Sequence, residues 1–207
     1  TTVTLQATDT IADSTAGDGD IVNLTLTTAI SAGNANQATI SGVENVNLIW
    51  DAFGTAAADV ANITGATITG SSTKTGFLGS VTVSNAGANT IVADTGMVGT
   101  LTVTGATTGS VVTGTAATVM SVTGTGTGQV VNAGLNTTNI TTSGFTSATI
   151  NAGTAATLSI TDAAVATNTT TVNVNADAVI TNVATGIVVL DLTDGNSVTM
   201  NAIGASL

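Results

Sequence analysis

Between Ser80 and Ala202 a short pattern returns at intervals of about twenty residues, and that interval limits the possible folds more than any other feature. The pattern is apolar, Ser/Thr, apolar, Ser/Thr. It reads Val81-Thr82-Val83-Ser84, Leu101-Thr102-Val103-Thr104, Met120-Ser121-Val122-Thr123 and Leu158-Ser159-Ile160-Thr161, with looser members at Asn139-Ile140-Thr141 and Ile180-Thr181. A second series falls between these and ends more often in Asn: Ile91-Val92-Ala93, Val111-Val112-Thr113, Val130-Val131-Asn132, Ile150-Asn151 and Val172-Asn173-Val174-Asn175. Alternation at period two is the signature of a strand with one buried face. Val, Ile and Thr, the β-branched residues, suit a pleated strand.

Two short strands every twenty residues, each held in register, describe stacked coils. In a parallel β-solenoid each strand lies about 4.8 Å above its equivalent in the coil below, and like side chains form ladders. An antiparallel sandwich also has short strands at this density, but its hairpins favour Asn-Gly and Asp-Gly turns. Neither dipeptide occurs from Ser80 to Asp191. The expected fold is therefore all-β, a parallel solenoid over residues 80–207 with room for about six coils. The Asn-Ala-Gly triplets at Asn85, Asn132 and Asn151 are expected at its corners.

Residues 1–79 break this rhythm and are expected to form a smaller β-rich cap or assembly region. "DIVNLTLT" (Asp20–Thr27) alternates, with Ile21 or Val22, Leu24 and Leu26 as core candidates. "ATISGVENVNLIW" (Ala38–Trp50) predicts two strands split at Gly42, and "AAADV" from Ala56 a helical turn before the coil pattern resumes. Trp50, Phe53 and Phe77 are expected in the core of the cap. The opening "TTVTLQATDT" has no basic segment or apolar signal core and starts within a β pattern, as a fragment or a processed chain would.

Charge narrows the function. Twelve Asp and Glu face one basic residue, Lys74, for a net charge of −11. Such a chain has nothing with which to neutralise phosphates, so nucleic acid and anionic membrane surfaces are not expected as partners. No apolar stretch is long enough to insert as a transmembrane helix. His, Cys, Tyr and Arg are absent, which removes the usual general base, thiol nucleophile and anion clamp. A Ser–Lys pair around "GSSTKTG" reads better as an exposed loop with a solubilising lysine, and the carboxylates Asp51 and Asp59 lack the aromatic platforms that sugar-cleaving sites present. No enzyme is expected.

A hard cation is the ligand the composition favours. Asp9, Asp13, Asp18 and Asp20 fall within twelve residues, with Gly17 and Gly19 interposed. Ca²⁺ takes carboxylate and carbonyl oxygens, and glycines let a backbone turn its carbonyls inward. Asp191, Asp194 and Asn196 around Gly195 form a second such group. Each also fits a plain polar turn.

The succession "TDTIADSTAGDGDIVNLTLT", "ATISGVENVNLIW" and "DVANITGATITG" resembles the surface-layer and RTX-type extracellular β-repeat proteins of Gram-negative bacteria. That resemblance implies export without a cleaved N-terminal signal and calcium-dependent folding or lattice assembly outside the cell; the partners expected are copies of itself at the cell surface and cell-surface polysaccharide. The other function expected is a binding module. In it Thr82, Thr102, Thr104, Thr123, Thr141 and Thr161 would form an outward hydroxyl array, as in ice-binding solenoids, or the rod would serve as an adhesin stalk.

Overall fold

The computed structural model describes residues 9–15, 17–26, 38–50, 55–72, 79–93, 96, 98–153, 157–161, 169–174, 178–182, 187–192 and 198–202. They form strands and turns, with no helix among them. In chain order the first strands are β1 (Thr10–Ala12), β2 (Ile21–Leu26), β3 (Thr39–Ser41), β4 (Asn45–Trp50), β5 (Ala56–Asp59), β6 (Ile63–Thr64) and β7 (Thr67–Ser72). They continue as β8 (Val81–Ser84), β9 (Thr90–Ala93), β10 (Thr100–Ala106), β11 (Val111–Gly114), β12 (Val119–Gly124), β13 (Gln129–Ala133) and β14 (Asn139–Ser143). The last are β15 (Ala148–Gly153), β16 (Thr157–Thr161), β17 (Thr169–Val174), β18 (Ala178–Asn182), β19 (Ile187–Leu192) and β20 (Val198–Ala202).

These strands build a parallel β-solenoid. From β7 onward consecutive strands alternate between an eight-stranded sheet, which begins with β5 and β8 and takes the even-numbered strands to β20, and a nine-stranded sheet that runs β2, β4, β7 and then the odd-numbered strands to β19. A third, three-stranded sheet of β1, β3 and β6 lines the first coils. All pairings among the described strands are parallel, which excludes the antiparallel sandwich. In the eight-stranded sheet the buried residues Val81, Leu101, Met120, Ile140 and Leu158 are stacked partners, and the same register continues through Ile180 to Met200. Their separations are 20, 19, 20, 18, 22 and 20 residues, the interval read from the sequence.

The first coils are longer. Val22, Val46, Ile68 and Ile91 are successive partners 24, 22 and 23 residues apart. The extra length passes through the third sheet, which shrinks to a single bridge between Gly87 and Ala106 and then gives way to a corner. Thus β2, β4 and β7, from the segment before residue 80, lie in the same sheet as the later coils.

Between the sheets runs one apolar column. Val46, Leu48, Ile68, Ile91, Leu101, Met120, Ile140, Ile150 and Leu158 are each at most 2% exposed. Burying an aliphatic side chain of this size stabilises by about 1.5–3 kcal/mol, so a chain with 2% aromatic residues still assembles a core. Trp50 and Phe145 are the large aromatic side chains buried in it.

Two expectations change, and one left open between two residues is decided. Ala56–Asp59 is strand β5 and not a helical turn, because Ala56 and Ala58 pair with Val81 and Val83 and are buried on them. Tertiary packing here overrides alanine's helical preference. Only Asn85 of the three Asn-Ala-Gly asparagines is a corner, with φ of 56°; Asn132 and Asn151 lie within β13 and β15 and face outward. Ile21 is 60% exposed, leaving Val22, Leu24 and Leu26 as the core-facing residues of β2. Phe53 and Phe77 lie outside the described residues.

Candidate metal centre

The acidic cluster sits in the first coil, between β1 and β2. Asp13 leaves β1 with its backbone N–H donating to the Ser41 carbonyl at 3.0 Å, and its carboxylate accepts from the Thr15 N–H at 2.9 Å. Gly17 and Gly19, with φ of 86° and 91°, then fold the loop back on itself. Carboxylate oxygens of Asp13, Asp18 and Asp20 lie within 4.8 Å of one another, Asp18 and Asp20 exposed and Asp13 half-buried.

Glu44, from the next coil, braces this loop. Its two carboxylate oxygens accept from the backbone N–H groups of Gly17 at 2.7 Å and Asp20 at 2.9 Å. Both oxygens are thereby engaged, so Glu44 positions the loop while the three aspartates present their carboxylates. Gly42 is fixed by the same geometry: its φ is +75°, and a Cβ there would lie 2.2 Å from the Asp13 carbonyl oxygen.

The electrostatics agree. Asp18 is the main cause of an Asp20 carboxyl raised above its usual range, followed by partial desolvation and the charges of Asp13 and Glu44. Glu44 is held below its usual range, chiefly by the Gly17 N–H, against the opposing effect of burial. Three clustered carboxylates braced by a fourth repel one another, and a hard divalent cation relieves that repulsion.

Of the residues picked from the sequence, the fold brings together Asp13, Asp18 and Asp20. Asp9 is outside the group; its carbonyl accepts from the Thr39 N–H at 3.0 Å, one coil up. Asp191 lies in β19, at the opposite end of the nine-stranded sheet from β2. Asp194 and Asn196 lie outside the described residues, as do Lys74 and Asp51. Glu44 was not among the residues picked, because a ligand loop's brace can come from a full coil away; its only sequence trace is the "GVENV" stretch. Asp59 is a buried structural carboxylate, accepting from the Ala61 N–H at 3.0 Å and from Asn85 Nδ2 at 2.9 Å.

The outer faces carry ladders. On the eight-stranded sheet Thr82, Thr102, Ser121, Thr141 and Ser159 share one register row. Thr123, Ser143 and Thr161 share the next. Of the threonines expected in one array, Thr82, Thr102 and Thr141 share one row and Thr123 and Thr161 the next, while Thr104 falls at the register shift between Val103 and Ala106. The nine-stranded sheet carries a row that the sequence reading did not single out as a unit: Asn23, Asn47, Thr69, Val92, Thr113, Asn132, Asn151, Asn173 and Asp191. Its asparagines hydrogen-bond between coils, each Nδ2 donating to the residue one coil earlier: Asn47 to Asn23 at 2.8 Å, Asn132 to Thr113 at 3.2 Å, Asn151 to Asn132 at 2.6 Å and Asn173 to Asn151 at 2.5 Å. A cavity inside the coil between Trp50 and Leu101 is lined wholly by apolar residues and offers no polar group to orient a small ligand.

Comparison of the chain with protein-family models, with curated proteins and with solved structures returned no match.

Proposed function

We propose that this chain is a non-catalytic structural module that assembles with copies of itself into a layer or fibre at a bacterial cell surface, its first coil stabilised by Ca²⁺. The observation that carries this reading is the end of the stack at β2, which has no further strand partner on its outer side among the described residues. In β4 the inward side chains Val46, Leu48 and Trp50 are fully buried, whereas their partners in β2, Val22, Leu24 and Leu26, are only half-buried. A parallel stack that stops at such an edge presents unpaired backbone groups beside apolar side chains, which is a template for another strand.

The acidic cluster supports the calcium part, since it lies in that same first coil and ties it to the second through Glu44. Export and a surface location rest on the resemblance to surface-layer and RTX-type proteins. The test is electron microscopy of the purified protein with calcium and with chelator. Sheets or fibres that depend on calcium support the proposal; dispersed monomers under every calcium condition overturn it.

A second reading, an ice-binding or adhesin-type module, draws on the register row of Thr82, Thr102, Ser121, Thr141 and Ser159. Ser replaces Thr at two of these five positions, which breaks the regularity a lattice-matching surface requires. Thermal hysteresis in a freezing assay would favour this alternative.

A further inference from the structure

Self-assembly needs a register, and the asparagine row supplies one. We infer that copies join end to end, β19 of one copy pairing in parallel with β2 of the next, with Asn23 of the second copy directly following Asp191 of the first. This rests on the self-assembly reading and specifies its interface.

Three observations lead to it. First, β2 and β19 are the two terminal strands of one sheet, and neither has a further partner among the described residues. Second, their sequences match position by position when the row is continued. Asn23 and Asp191 hold the same register row, and stacking one on the other aligns Val189 with Ile21, Leu190 with Val22 and Leu192 with Leu24. Leu190 is the register partner of the fully buried Val172 and Val22 that of the fully buried Val46, so the aligned positions both continue register rows that are buried within the stack. The new step would repeat the contact that every coil already makes with its neighbour.

Third, the hydrogen-bond polarity of the row fits only this order. In each of its four side-chain bonds the later coil donates and the earlier coil accepts. Asn23, at the start, accepts from Asn47, and among the described residues nothing takes its own Nδ2 hydrogens. Asp191, at the other end, is a residue whose ionised side chain only accepts. It cannot extend the row as a donor toward Asn173, but it can accept from an amide stacked above it. A second copy supplies that amide, and because Asn23 is neutral the junction places no like charges on adjacent rungs. A repeated head-to-tail contact that does not close into a ring produces a filament.

The chain has no cysteine, so a pair of introduced thiols reports the junction directly. Adjacent strands lie about 4.8 Å apart, within the Cα range that a disulfide spans. The double variant Asn23→Cys/Asp191→Cys, oxidised under the conditions in which the wild type assembles, is expected to form a ladder of linked oligomers. The offset pair Thr25→Cys/Asp191→Cys, one pleat out of register, is expected to link about tenfold less. Asn23→Asp, which sets acceptor against acceptor, is expected to shorten or abolish the filaments while its circular dichroism melt stays like the wild type's. If the wild type assembles but the 23/191 pair links no better than the offset pair, the end-to-end register is wrong and self-assembly stands on another surface. If the wild type stays monomeric throughout, the register and the self-assembly reading both fall.

Discussion

The Nδ2 of Asn151 lies 2.6 Å from the Oδ1 of Asn132, its partner one coil earlier, and the Oδ1 of Asn151 accepts in turn from Asn173 at 2.5 Å. One half-buried amide thus links three coils. Each such bond contributes about 0.5–1.5 kcal/mol net, so Asn151→Ala is expected to lower unfolding free energy by about 1–2 kcal/mol. Asn47→Ala, which removes a single exposed bond to Asn23, should cost less. Urea denaturation of both variants checks the order, and equal midpoints would mean the ladder is decorative.

Thr142 faces the core where its register partners are Val122 and Ile160, and it is fully buried with its hydroxyl lacking a hydrogen-bond partner. A buried polar group without a partner carries a desolvation cost of about 1–3 kcal/mol. Thr142→Val keeps the branched shape and removes the hydroxyl, so a gain of about 1 kcal/mol is expected. It would appear as a higher denaturation midpoint at unchanged slope. A loss of stability would show that the hydroxyl has a bonding role.

The coil between Val81 and Val172 was legible because its core positions recur at nearly constant spacing with Val, Ile, Leu or Met at the inward sites. Thr142 interrupts that code without breaking the register, since Thr differs from Val by one hydroxyl. The earlier coils were harder to read for a different reason. Their length varies with the third sheet, and β5 is written in Ala, a residue whose own preference is helical. Glu44 is 24 residues in sequence from the Asp20 N–H it accepts, a distance set by coil length and invisible to any local motif. The asparagine row was hidden likewise: Asn132 and Asn151 sit in triplets that look like corners, and only the strand register shows that they face outward.

Asn89 is buried with its amide fully used. Its Nδ2 donates to the carbonyls of Ile63 at 2.7 Å and Ala86 at 2.9 Å, and its Oδ1 accepts from the Ala66 N–H at 3.0 Å. It ties its own corner to the coil below. Asn89→Ala strands three buried backbone groups at about 1–3 kcal/mol each, so a loss of roughly 3–5 kcal/mol is expected. Asn89→Asp should be nearly as damaging, because a carboxylate cannot donate to the two carbonyls. Thermal melts measure both, and a shift no larger than that of Asn47→Ala would remove this bracket from the account of how the coils are fixed.

Asp20, in the first coil, and Glu44, in the next, give opposite pH signatures. The Asp20 carboxyl is raised above its ordinary value of 3.8, mainly by Asp18. The folded state therefore holds that proton more tightly than the unfolded chain, and stability falls as pH rises through the window between the ordinary and raised values. Glu44 is lowered from its ordinary value of 4.5, chiefly by the Gly17 N–H, so its contribution is present above that value and is lost as pH falls through the lowered one. In chelator, Asp20→Asn should therefore melt higher than the wild type at neutral pH, with the two curves converging in acid. Glu44→Gln should melt lower at neutral pH and also converge in acid. Calcium should reverse the sign of the Asp20→Asn effect at neutral pH, since the variant gives up a carboxylate that the ion would use. Melting curves of the three proteins from neutral to strongly acid pH, with and without calcium, test the scheme; parallel curves for Asp20→Asn and the wild type at every pH would rule out repulsion as the feature that a cation relieves.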